Sequence, residues 1–263
     1  MPCSRETRPR GFRTRFDTPE DAYFGFFDAD RSQDAAAWAA VMRYPHARVR
    51  AVGETEYFEA ARDYAQAADW TARVATGWVR TAGRQPTRLH ESRDRVHLVG
   101  GWTRYNAEDE PILRNMVTYI VTRPAGSWGI QARFAVGAYD GREDRTFAAA
   151  ADSAVGQVRR YYDALDENDG KACAELCRFP MIEVGVGEVT RIEDGMQLAR
   201  RVSRGRPRIN DLAVAAAQSG ARGAIVAVTA EYASGGGERS VLVVGREAES
   251  WRIAGISRMV QEA

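Results

Sequence analysis

Asp28–Thr55 reads DADRSQDAAAWAAVMRYPHARVRAVGET, and Asp163–Thr190 reads DALDENDGKACAELCRFPMIEVGVGEVT. Laid over each other at an offset of 135, without a gap, they share nine identities in 28 positions. Chance places roughly two or three identities in such Ala-rich stretches, so the chain repeats itself. The shared positions in the first copy are Asp28, Ala29, Asp34, Ala37, Ala39, Arg43, Pro45, Val49 and Thr55. Similar pairs extend the match: Phe26-Phe27 stands over Tyr161-Tyr162, and Tyr44 over Phe179. Further on, Ser127-Trp128-Gly129-Ile130 recurs as Ser250-Trp251-Arg252-Ile253, an offset of 123, so the second copy is shorter in its middle. A period near 130 residues is a duplicated domain rather than a solenoid.

Each copy reads helix first and sheet later. Asp17-Thr18-Pro19-Glu20 is a helix start, with a capping side chain and Pro in the first turn. The pattern predicts a helix to about Met42, broken near Asp28–Asp34 and stopped before Pro45, with a counterpart over Ala148–Cys177. Short strands are expected at Ala47–Val52 and Ile182–Val186, then helical stretches at Tyr57–Gln66 and Ile192–Arg201. Long strands bounded by turn residues follow: Arg95–Tyr105, Ile112–Thr122 and Trp128–Val136, then Leu212–Gln218, Gly223–Tyr232, Ser240–Arg246 and Trp251–Met259. The divisions expected are a basic disordered tail over 1–15, a first domain over 16–140 and a second over 141–263, joined near Gly137–Arg145.

In fold class this is α+β, a curved antiparallel sheet wrapped around N-terminal helices with a pocket between them. Tyr161-Tyr162-Asp163-Ala164-Leu165…Asp169, Phe179-Pro180 and Trp251-x-Ile253 resemble the NTF2-like superfamily, in its SnoaL-like, ketosteroid-isomerase-like branch. Phe26-Phe27-Asp28…Asp34, Tyr44-Pro45-His46 and Trp128-x-Ile130 repeat the pattern. The resemblance implies two tandem cone domains and a small-molecule pocket. It also implies cofactor-free chemistry such as isomerisation, dehydration or cyclisation. Members of that superfamily pair through the outer sheet face; here the two copies are expected to pair within one chain as a pseudo-dimer, and higher oligomers stay open. Ala254 and Ile256, opposite Trp251 and Ile253 by period two, suggest that both sheet faces are covered.

Composition narrows the function. The chain has 263 residues, with 37 basic against 36 acidic, so no global field points to nucleic acid or an anionic membrane. No apolar run reaches the roughly 18 residues of a membrane span, and the N-terminal stretch lacks the apolar segment of a secretory signal, so a cytoplasmic protein is expected. Three cysteines and three histidines leave no metal cluster to propose, and no cofactor is expected.

Asymmetry between the copies marks the candidates for chemistry. His46 stands where the second copy has Met181, and as a histidine it suits general acid/base work near neutrality. Tyr105 is a candidate hydroxyl donor to a developing oxyanion, matched to Tyr232 in the second copy, and Asp28 a candidate carboxylate behind two aromatics. Asp163 repeats Asp28, which favours a structural role, as do the helix-start positions Asp34 and Asp169. Trp102, Tyr119, Asn115, Arg133 and Tyr44 are candidate binding residues, Arg133 either as an anion clamp or, since it faces opposite Trp128 and Ile130, as part of the interface between the halves. The second copy reads as filled core, so the first is the expected pocket. The alternative to an enzyme is a non-catalytic ligand-binding or interaction module.

Overall fold

The computed structural model describes residues 14–140, 145–203 and 207–261. The expected tail over 1–15 is therefore largely outside the described residues, as are positions 141–144 of the expected linker.

Helix α1 (Pro19–Ser32) begins where Thr18 accepts a hydrogen bond from the Asp21 backbone, with Pro19 as its first residue. It ends at Gln33, which is left-handed at φ 52°. Asp34 then caps α2 (Ala35–Ala40) by accepting from Ala36 and Ala37. The helix ends earlier than the sequence suggests. Met42, Arg43 and Tyr44 already belong to β1 (Met42–Arg50), because Pro45 disfavours helical backbone in the residue before it. The chain continues through β2 (Glu56–Phe58), α3 (Ala61–Gln66), α4 (Thr71–Val74), β3 (Arg80–Gly83) and β4 (Thr87–Glu91). The long strands β5 (Arg95–Tyr105), β6 (Pro111–Thr122) and β7 (Gly129–Tyr139) complete the first half.

The second half repeats the order with fewer insertions. It comprises α5 (Arg145–Asp166), α6 (Gly170–Glu175), β8 (Cys177–Val184), β9 (Val189–Ile192), α7 (Gly195–Val202), β10 (Ile209–Gly220), β11 (Gly223–Tyr232), β12 (Gly237–Glu247) and β13 (Ser250–Gln261). Asp169 caps α6 through Ala172, as Asp34 caps α2. The sheets are ordered β2-β1-β7-β6-β5-β3, with β4 also on β5, and β10-β11-β12-β13-β8-β9. Each is mixed rather than purely antiparallel, since β1 runs parallel to β7 and β8 parallel to β13.

Period-two alternation divides the apolar residues into three cores. Inner faces bury one cluster against the helices in each half, around Tyr23, Phe26, Trp38 and Tyr119 in the first and Tyr161, Tyr162, Leu165 and Leu242 in the second. Outer faces make the third, where Val49, Ile120 and Phe134 meet Ile182, Val241 and Val243. Each such buried side chain contributes about 1.5–3 kcal/mol. The two sheets thus pack back to back, forming the intrachain pseudo-dimer. Thr118 donates to Gln218 at 2.9 Å, Gln218 to the Gly100 carbonyl at 2.8 Å, and Arg95 to the Val184 carbonyl at 3.0 Å, all across this seam.

Candidate functional site

Between the helices and the inner face of the first sheet lies a cleft of about 180 Å³. Its floor comes from β1 and β7, where Arg48 and Arg133 sit side by side in the parallel register. Trp102 and Arg104 of β5 and Asn115 and Val117 of β6 form one wall, alternating as period two requires. Phe26, Phe27 and Asp30 of α1, Trp38 of α2 and Arg73 of α4 close the other.

The wall is cationic and aromatic. Asp30, only 3 % exposed, is bonded to Arg73 at 2.5 Å. Arg48 is 3.5 Å from Glu56, which also holds Arg50 at 3.0 Å. Among the described residues, Arg104 and Arg133 have no carboxylate within ion-pair distance. Arg133 lies over Phe26 at 5.0 Å, Arg104 over Trp102 at 4.7 Å, and Arg48 over Trp38 at 5.1 Å. These faces stabilise guanidinium groups but accept no strong hydrogen bond. Burial pushes the Arg104 guanidinium down to about 10, with Arg73 adding repulsion, and burial lowers Arg133 as well. The buried atoms Arg48 Nε and Nη2, Arg133 Nε and Asn115 Oδ1 have no hydrogen-bond partner. A buried guanidinium N–H without an acceptor costs stability, and a bound anion removes that cost.

Of the eight candidate residues, the structure brings Trp102, Asn115 and Arg133 into the cleft and leaves five outside its lining. His46 is fully buried on β1, with Nδ1 3.0 Å from the Ile130 carbonyl and its ring edge-on to Tyr64. Burial, then Arg133 and Arg48, hold its pKa well below the ordinary histidine value, so it stays neutral. As a general base of this cleft His46 is misplaced, because it is sealed beneath aromatic rings. Tyr44 donates to the Ala39 carbonyl at 2.8 Å, joining two elements instead of facing a ligand. Tyr119 is wholly buried edge-on to Tyr23. Tyr105 lies under Arg80 at 3.8 Å on the far face of β5. Asp28 is exposed, 3.6 Å from Arg31; the carboxylate that enters the cleft is Asp30, two residues on.

Sequence reasoning missed Asp30, Arg48, Arg73 and Arg104. A signal for two of them stood in the ungapped repeat, where Arg48 lies over Glu183 and Asp30 over Leu165. Arg73 and Arg104 sit where the copies differ in length, and only the fold brings them near. A larger trough of about 640 Å³ runs past Arg93, Asp94, Arg123 and Val186, but it is open. Arg123 there is satisfied by the Arg93 carbonyl at 2.8 Å. Among the described residues no group of three or more His, Cys, Asp or Glu side chains could hold a metal ion, and no helix is long and apolar enough to cross a membrane.

No family model matches this chain, and no curated protein is similar to it in sequence. Among solved structures it is similar to an NTF-2 like protein of unknown function from Silicibacter pomeroyi, at 18 % identity and TM-score 0.33, over 42 % of this chain and 94 % of that one. A ketosteroid isomerase-like protein from Erwinia carotovora atroseptica is similar at 17 % identity and TM-score 0.35, over 44 % and 100 %. A domain of unknown function with a cystatin-like fold from Nostoc punctiforme is similar at 14 % and 0.37, over 56 % and 93 %. The chain is two tandem α+β domains that repeat one element order, a pair of helices followed by a mixed sheet packed on them.

Proposed function

We propose that the first domain is a receptor for a small organic anion, bound in the cleft between Arg48, Arg104, Arg133 and the aromatic walls. The observation that carries this reading is the charge count of the wall. Arg48, Arg50, Arg73, Arg104 and Arg133 line the cleft against one lining carboxylate, Asp30, with Glu56 outside the lining shared by Arg48 and Arg50, and buried N–H atoms on Arg48 and Arg133 lack acceptors. Guanidinium groups held in a partly dry site bind anions through charge-assisted hydrogen bonds, and planar rings beside them favour a flat apolar body.

Binding is better supported than catalysis. The lining contains no histidine, cysteine, tyrosine or lysine, and its one carboxylate is committed to Arg73. Cofactor-free proton transfer of the isomerase, dehydratase or cyclase kind would fall to Asp30 rather than His46. Titration calorimetry against aromatic anions and their neutral isosteres tests the receptor reading. Anions are expected to bind at least about tenfold more tightly, a difference of about 1.4 kcal/mol. Equal or better binding of the neutral partners defeats it.

A further inference from the structure

The second domain shows what the first lacks. Strand register aligns the two sheets residue by residue. Arg48 pairs with Arg133 across β1 and β7, as Glu183 pairs with Ile256 across β8 and β13. Stepping outward, Val117 and Ala135 correspond to Ser240 and Arg258, and Asn115 corresponds to Glu238. One strand further, Trp102 opposite Asn115 matches Ala230 opposite Glu238, which places Tyr232 at the position of Arg104 and not of Tyr105. The repeat itself sets Tyr162 over Phe27.

Glu238 is 1 % exposed, and its carboxylate is fully engaged. It accepts hydrogen bonds from the Tyr162 hydroxyl, from Tyr232 at 2.8 Å and from Ser240 at 2.9 Å, with Arg258 Nε 4.0 Å away. Each of these groups stands at a position that lines the cleft in the first domain. Phe27 replaces one hydroxyl, Arg104 the other, Val117 the serine and Ala135 the arginine, while Asn115 replaces the carboxylate itself. The second domain therefore carries its own carboxylate in the space that the first leaves open. The first domain has Arg104 where the second has Tyr232 and Arg133 where it has Ile256, and no carboxylate at the position of Glu238.

We infer that the cleft takes the carboxylate of an aromatic or alicyclic acid, seated where the second domain seats Glu238. This rests on the anion reading above and narrows it to one chemical class. Restoring the internal anion should then compete with the ligand. In Asn115→Glu the new carboxylate reaches the unpaired guanidinium groups, so affinity for benzoate is expected to fall at least about tenfold while the unfolding temperature of the ligand-free protein rises.

The experiment is calorimetric titration of the full chain with benzoate, phenyl phosphate and benzyl alcohol, with Asn115→Glu and, as a control that adds the same charge at an exposed position outside the cleft, Val260→Glu alongside. Benzoate binding best, retained in Val260→Glu and lost in Asn115→Glu, is the expected result. Phenyl phosphate binding best would overturn the carboxylate inference and leave the anion receptor standing. Benzyl alcohol binding as well as either anion, or none of the three binding, would overturn both. If Asn115→Glu shows a lost fold by circular dichroism, the wild-type ranking of the three probes still decides.

Discussion

At the scale of single residues, Arg133 has opposite worth in the empty and the filled cleft. It lies beside Arg48 in register, its Nε lacks an acceptor, and burial already lowers its pKa. Replacing an uncompensated buried charge by an apolar side chain of similar length is often neutral or stabilising, here by about 1 kcal/mol. Arg133→Met is therefore expected to raise the urea midpoint of the ligand-free protein and to weaken aromatic-anion binding at least about tenfold. Parallel measurement of both on one preparation checks this, and a fall in both would make Arg133 a structural residue. Trp102 and Asn115 could be placed from alternation alone, because each lies on a long strand whose period fixes its face. Arg133 could not: period two sets it opposite Trp128 and Ile130, and the irregularity in β7 between Ile130 and Ala132 turns it to the inner face. The residue type of His46 suits a base, but its depth is not legible in one dimension. Alternation sets it on the inner face of β1, yet α3 brings Tyr64 over it and seals it.

At the scale of elements, the strands and the helix caps were legible, and the boundaries failed where tertiary pairing overrides local pattern. Thr18, Asp34 and Asp169 cap as their residue types predict. Cys177 begins β8 rather than closing a helix, since pairing with β13 claims it. The short β3 and β4 had no readable period at four and five residues, although they build the edge beside β5. Close approach between elements was also invisible in one dimension. A Cβ on Gly245 would lie 1.5 Å from the Ala51 carbonyl oxygen, backbone of the opposite domain. Gly245→Ala is thus expected to destabilise the fold by about 3 kcal/mol through forced separation of β12 from the end of β1. Chemical denaturation would read this, and a loss below about 0.5 kcal/mol would show that the seam yields easily.

At the scale of the whole molecule, all three histidines are buried and none faces the cleft. His97 lies 3.0 Å from Ser257 across the seam and 3.1 Å from His90, while His46 lies inside the first core. Burial lowers all three, His90 to about 4 with Arg239 contributing, and His46 and His97 well below the usual value. The folded state thus binds fewer protons than the unfolded chain, whose histidines titrate near about 6.5. Stability is therefore expected to rise with pH from about 4 toward about 6.5, with each histidine contributing up to about 1.4 kcal/mol per pH unit. His46→Gln should flatten that slope by one histidine's share in denaturation curves taken across the range. An unchanged slope would mean that His46 charges within the folded state.

The back-to-back seam also has a consequence for the speed of recognition. The strands that carry Arg48 and Arg133 are braced from behind, since Val49, Ala132 and Phe134 on their outer faces pack on the second domain. Like charges that would otherwise spread apart are held converged before any ligand arrives. Encounter then needs no rearrangement, and the field of the converged cations draws an anion inward. In stopped-flow traces the association rate should fall steeply as sodium chloride is raised, while the dissociation rate stays nearly constant. A salt-independent association rate that saturates with ligand concentration would instead reveal a slow opening of the braced wall.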